Sequence, residues 1–274
     1  MPEVDRTAII GVFAVLGVMG LAVTAWVYWP ALQGAEAARR AIGTHRLAIG
    51  AIISILVLNA AITLPLAPYL RLQGGFTTST FVIAALSTDV PMLLFVYLRL
   101  IAPGAVSWRE LGLVPLRLNY LLRMGLGGGL AGLVVVDIIG TLLSQVGLRP
   151  NQLEQFEFVL NEGPLAFLLL LIAAGVIAPC VEELFFRGFL FGLYRRRKPV
   201  WVAYVVSSVL FTLLHLEPTR MNLPQMAGLA VGIFLLATLL AWLYQHTGSI
   251  YPSMLAHALN NATGLILFYT VGVR

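Results

Sequence analysis

Seven ionisable side chains stand inside long apolar stretches of the sequence: Asp89, Asp137, Glu182, Glu183, Arg187, His215 and His257, with Asn260 and Asn261 as polar companions. Most of them fall into three short segments. In Glu182-Glu183-Leu-Phe-Phe-Arg187 a helix sets Glu183 and Arg187 at i and i+4 with the acid on the N-terminal side, so the two neutralise each other. Glu182 points about 100° away and has no countercharge in its own turn. An unpaired carboxylate in an apolar setting suits a general base or acid. Phe211-Thr-Leu-Leu-His215 places an aromatic ring one turn before an imidazole. His257-Ala-Leu-Asn-Asn261 places an imidazole and a carboxamide on one helical face. Such a set can hold a water and stabilise an oxyanion. Glu182, His215 and His257 can equally bind a divalent metal, since two His and a carboxylate form a zinc ligand set. Asp89 and Asp137 fit no such pattern and read as helix-packing polar residues.

The elements that position these groups must lie in a membrane. Of the 274 residues 59% are hydrophobic and 11% charged, against about 25% charged in a soluble domain. That charge cannot cover a soluble enzyme, and the composition is the opposite of a disordered chain. About 20 apolar residues span the hydrocarbon core, and eight stretches qualify: Thr7–Trp29, Leu47–Leu70, Phe76–Leu98, Leu118–Val146, Pro164–Tyr194, Val200–Leu216, Gln225–Gln245 and Ile250–Val273. The expected fold is all-α, a polytopic integral membrane protein with about eight transmembrane helices in a single domain, 1–274. Thr7–Trp29 reads as a span rather than a signal peptide, because Pro2–Arg6 is acidic and the run is long. Pro65 and Pro68 should bend or end the second span. Gly125, Gly127, Gly128, Gly129 and Gly132 mark a closely packed face of the fourth. Leu148–Gly163, with Glu154, Glu157 and Glu162, reads as a loop or interfacial helix. The fifth stretch is too long for one straight span, and Gly175 and Pro179 are its expected kink points.

Cys180 is the only cysteine, so neither a disulfide nor a CxxC site is possible. The net charge of +5 reads as topology and lipid contact rather than nucleic-acid binding. Counting Lys and Arg by loop, Arg99 and the Arg195–Lys198 cluster included, puts the odd-numbered loops in the cytoplasm. Trp26, Tyr28, Trp29, Trp201 and Trp242 read as interface anchors. From the cytoplasmic ends of their spans, Glu182, His215 and His257 lie about 18, 24 and 11 Å deep. Tilts and a kink allow one site open toward the cytoplasm.

The three tetrads, in this order and spacing, resemble the CPBP family of intramembrane proteases, which includes the CAAX prenyl proteases of the Rce1 type. The family pattern is EExxxR, then FxxxH, then HxxxN or HxxxD, over a motif core of about 164–273 here. The resemblance implies that Glu182 activates a water with help from His215, and that His257 and Asn261 stabilise the oxyanion. Glu183, Arg187 and Phe211 would support them. It admits a metal-dependent and a metal-free mechanism, so zinc on Glu182, His215 and His257 stays open. The implied partners are membrane lipids and a peptide or lipidated protein, a C-terminally prenylated CAAX protein among them, in a bacterial-type cell membrane. The alternatives are a non-catalytic peptide-binding or immunity protein of the same fold, and a transporter. For a transporter the polar residues should recur in both halves, which they do not.

Overall fold

The computed structural model describes residues 6–72, 77–148, 156–216 and 221–271. Phe76, Glu154, Pro2–Asp5 and the end of the last expected span at Val273 lie outside them. All regular structure described is helical. The elements are α1 (Arg6–Leu32), α2 (Ala35–Arg40), α3 (Thr44–Leu72) and α4 (Thr78–Ile101). They are followed by α5 (Leu118–Gln145), α6 (Phe158–Glu162), α7 (Pro164–Arg195), α8 (Val200–Leu214), α9 (Leu223–Thr247) and α10 (Tyr251–Val271). The chain forms two compact units, 1–69 with 86–107, and 70–85 with 108–274.

Among the described residues five helices are long and apolar enough to cross a membrane: His45–Leu64, Thr78–Ile101, Leu118–Gln145, Pro164–Arg195 and Leu223–Thr247. Five of the eight expected spans thus meet that length and hydropathy. The described apolar part of α1 is Gly17–Leu32, and α8 is shorter than 18 residues. α10 has the length, at 21 residues, but Ser253, His257, Asn260 and Asn261 lower its hydropathy. The same side chains that suggest chemistry thus remove it from the apolar set.

In the first unit Arg99 departs from its expected place in a loop. It lies in the π-helical end of α4, Phe95–Ile101, and is buried. Its Nε donates to Val27 O at 2.7 Å and its Nη1 to Ala38 O at 3.3 Å. α3 continues as a helix through Pro65 and Pro68 to Leu72, so those prolines do not end it. Asp89 is buried, whereas Asp137, expected to pack, is exposed on α5.

The second unit carries the three tetrads. α5 packs along α9 and α10 through its glycines. A Cβ on Gly125 would stand 2.6 Å from Leu255 Cδ2, on Gly128 2.6 Å from Leu243 Cδ1, and on Gly129 2.7 Å from Leu259 Cδ2. Hydrogen in place of a methyl is what lets these backbones approach. Asn260 fastens the same contact, donating from Nδ2 to Gly129 O at 3.0 Å.

The segment before α7 is more apolar in its contacts than its charges suggest. Phe156, Phe158 and Val159 join Ala166, Leu170, Leu265 and Phe268 in one buried cluster. Glu162 accepts from the Thr78 N–H at 3.1 Å and the Thr78 hydroxyl at 2.6 Å, at the start of α4. An acidic group there satisfies a free amide and suits the helix dipole.

α7 runs 32 residues without a break in helicity. Its irregularity takes the form of two π segments, Ala173–Ile177 and Leu184–Phe191. Each π turn inserts a residue and leaves backbone groups out of register. Neighbouring side chains answer them, as Ser207 on α8 does by donating from Oγ to Phe186 O at 3.0 Å. Gly188 lets Leu111 O approach, to within 2.7 Å of where a Cβ would sit. α9 starts with a capping box, Asn222 Oδ1 accepting from Gln225 N–H and Gln225 Oε1 accepting from Asn222 N–H.

Candidate active site

The innermost layer of the site is an ion pair. Glu183 and Arg187 are one turn apart on α7, and both side chains are fully buried. Arg187 Nη1 donates to Glu183 Oε1 at 2.7 Å, and Nη2 donates to Ala237 O on α9 at 2.9 Å. The guanidinium lies 4.5 Å from the centre of the Phe211 ring on α8, a cation–π contact strengthened by the absence of water. Arg187 thereby joins three helices.

Upon this layer sits the pair of imidazoles. His257 on α10 contacts Glu183 Oε1 through Nδ1 at 3.0 Å. Glu183 already accepts from a guanidinium, and a carboxylate can only accept, so His257 Nδ1 is the donor. His215 Nδ1 lies 2.8 Å from Phe211 O. A carbonyl has no proton to give, so His215 Nδ1 donates as well. Phe211 stacks on His215 with ring centres 4.5 Å apart and meets His257 edge-on at 5.6 Å.

Both Nδ1 atoms being committed, both Nε2 atoms turn to the same place. Glu182 Oε2 lies 3.8 Å from His215 Nε2 and 3.8 Å from His257 Nε2. It is buried and has no hydrogen-bond partner among the described residues. The side chains of Glu182 and His215 are 15% and 21% exposed and that of His257 3%, so the cleft opens on the Glu182–His215 side. At 3.8 Å these pairs exceed a direct hydrogen bond. Among the described residues no three His, Cys, Asp or Glu are arranged to hold a metal ion. Glu182, His215 and His257 as placed do not form such a set.

Asn261 stands apart from this convergence. Its Nδ2 donates to Ala174 O, in the first π segment of α7, at 2.9 Å. Glu182, His215 and His257 thus come together with Glu183, Arg187 and Phe211 behind them, while the Asn261 carboxamide is engaged on backbone. Ala237 O, Ser207 and Ala174 O were invisible in the sequence, being ordinary residues or backbone atoms. Pro179 was visible as an expected kink, and it stands just past the first π segment, where α7 returns to the α register.

Residues 164–263 match the family described as type II CAAX prenyl endopeptidase Rce1-like. That segment holds all three tetrads, so the family resemblance is established on the part of the chain that carries the site. Among curated relatives, the chain is 32% identical over 90 residues to UPF0177 protein YxdF of Lactococcus lactis, covering 33% of this chain and 45% of that protein. It is 38% identical over 131 residues to uncharacterized protein YyaK of Bacillus subtilis, 45% and 41% of the two chains. It is 26% identical over 99 residues to "Putative membrane peptidase YdiL" of the same species, 36% and 37% of the two chains. The matches span less than half the length of each relative. No solved structure matches the chain significantly. With its five long apolar helices, the chain is an integral membrane protein with an Rce1-like segment.

Proposed function

We propose that this protein is an intramembrane endopeptidase in which Glu182 activates a water for attack on a peptide bond. The observation that carries this is the unpartnered Glu182 Oε2, flanked by two imidazole Nε2 atoms at 3.8 Å each. A water touching all three accepts that spacing, since pairs beyond hydrogen-bond range are commonly bridged. Two carboxylates, Glu182 and Glu183, face one guanidinium, Arg187, so the cluster holds one further proton at zero net charge. With that proton on His257, Glu182 is ionised and free to act as the base. The water oxygen attacks the scissile carbonyl carbon, Glu182 takes a proton from that water, and the tetrahedral oxyanion faces His257. In its protonated form His257 donates from Nε2 while Glu183 holds its Nδ1 side. Collapse breaks the C–N bond, and the proton on Glu182 passes to the leaving amine. Low dielectric strengthens the oxyanion contact.

The substrate is a membrane-associated peptide or lipidated protein. A CAAX protein would be cut after the prenylated Cys. The site opens toward the cytoplasmic side of the cell membrane, where the Arg195–Lys198 cluster stands. The test is cleavage of a farnesylated CAAX peptide and its unprenylated twin by the purified protein in lipid, read by mass spectrometry, with Glu182→Ala in parallel. A Glu182-dependent cut after the prenylated Cys is the expected result. If Glu182→Ala cuts at the parental rate, the assignment of the base is wrong. If neither peptide is cut but binding is retained, the peptide-binding alternative replaces this reading for CAAX substrates.

A further inference from the structure

Pro179 lies three residues before Glu182, where the π segment Ala173–Ile177 gives way to the α turn Ala178–Glu183. In the π register each amide donates five residues back, as Ala178 N–H does to Ala173 O. The next amide in that register would donate to Ala174 O. It belongs to Pro179, which has no N–H. Ala174 O lies about 15 Å along α7, at a depth where water is scarce and an orphaned carbonyl is costly. It accepts instead from Asn261 Nδ2 on α10.

We infer that Asn261 is a positioning residue: its carboxamide replaces the amide that Pro179 deletes and thereby fixes the part of α7 that carries Glu182. His257, one turn earlier on α10, grips the same helix at Glu183 Oε1. Two grips from one face of α10, on either side of the Pro179 join, prevent α7 from sliding or rotating there. Glu182 lies between them in sequence, so its carboxylate is held against His257 and His215. A proline at this join also has a use: by breaking the internal register it transfers one hydrogen bond from within α7 to the α7–α10 contact.

The prediction differs from that for an oxyanion donor, because a backbone amide restored at 179 would substitute for Asn261 in the one role and not in the other. The test is a double-mutant cycle of Asn261→Ala and Pro179→Ala in the purified full chain in lipid. Its kinetic arm rests on the proposed peptidase reading, and its thermal arm does not. Asn261→Ala is expected to lower kcat by about 10–100-fold through misplacement of the base, with KM little changed. It should also lower Tm by about 3–6 °C. In the Pro179→Ala background both penalties shrink to about a third or less, the signature of coupled sites. Additive penalties in both arms overturn the inference, and so does a kcat penalty that persists while the Tm penalty is rescued. If no form of the protein cleaves peptide, the peptidase reading fails and the thermal cycle alone decides. If Asn261→Ala does not fold, recovery of folded protein in the double variant is the expected rescue, and failure of the double variant overturns it.

Discussion

Glu183 Oε1 accepts from Arg187 and His257 at once, and that double engagement decides which nitrogen of His257 faces the cleft. Removing either partner therefore acts on charge and geometry together. Arg187→Ala leaves Glu183 buried without its cation, which should destabilise the fold by about 3–5 kcal/mol. Thermal unfolding in detergent or lipid checks this. Arg187→Lys should recover only part of the loss, because an ammonium cannot bond Glu183 and Ala237 O in the same fork while keeping the contact with the Phe211 ring. Glu182 behaves differently. Its Oε2 has no hydrogen-bond partner to lose, so Glu182→Gln should leave Tm within about 2 °C of the parent. Peptide turnover should fall by about a hundredfold or more, the scale of a lost general base. A stable variant with full turnover would refute the role given to Glu182.

At the scale of elements, glycines decide how closely the helices of the second unit pack. Gly188 faces Leu111 O, which is backbone and cannot rotate away. Gly188→Ala should therefore destabilise by about 1–3 kcal/mol, as overpacking does. Gly127 on α5 has nothing within 4 Å of where a Cβ would sit. Gly127→Ala should be neutral or stabilising by up to about 1 kcal/mol, the difference in helix propensity. Unfolding midpoints of the two variants, measured side by side, should move in opposite directions or one not at all. Equal losses would show that α5 is more crowded on its Gly127 face than this packing allows. The two π segments of α7 belong to the same scale. They turn carbonyls toward α8 and α10, and Ser207 and Asn261 meet them with side-chain donors.

For the whole molecule the prediction concerns orientation in the membrane. Lys and Arg, with Arg99 removed from the loops because it is buried, still favour the faces that carry Arg39, Arg109 and the Arg195–Lys198 cluster as cytoplasmic. In a Cys180→Ser background, Arg197→Cys should resist a membrane-impermeant maleimide added to intact cells and react in inverted vesicles. The reverse labelling would place the cleft on the opposite side of the membrane and exclude cytoplasmic substrates.

The sequence by itself determined whatever depends on neighbours along one helix. The apolar composition settled the solvent, and the i, i+4 spacing made the Glu183–Arg187 pair legible, since a helix brings those side chains together wherever it sits. The same local logic left Glu182 without a partner in its own turn and showed the glycine face of α5, apart from Gly127, which was expected on that face and lies off it. Local logic failed where an answer needed a second helix. Of the eight expected spans, five have the length and hydropathy of a span among the described residues. Arg99 read as a loop residue because the apolar run ends at Leu98. Its acceptors, Val27 O and Ala38 O, are 72 and 61 residues away. Only tertiary structure turned both imidazole Nε2 atoms toward Glu182, because acceptors at Phe211 O and Glu183 Oε1 hold the two Nδ1 atoms. Only tertiary structure gave the Asn261 amide to Ala174, across 87 residues. Pro179 is written in the sequence, but the donor that answers the amide it lacks is supplied by packing.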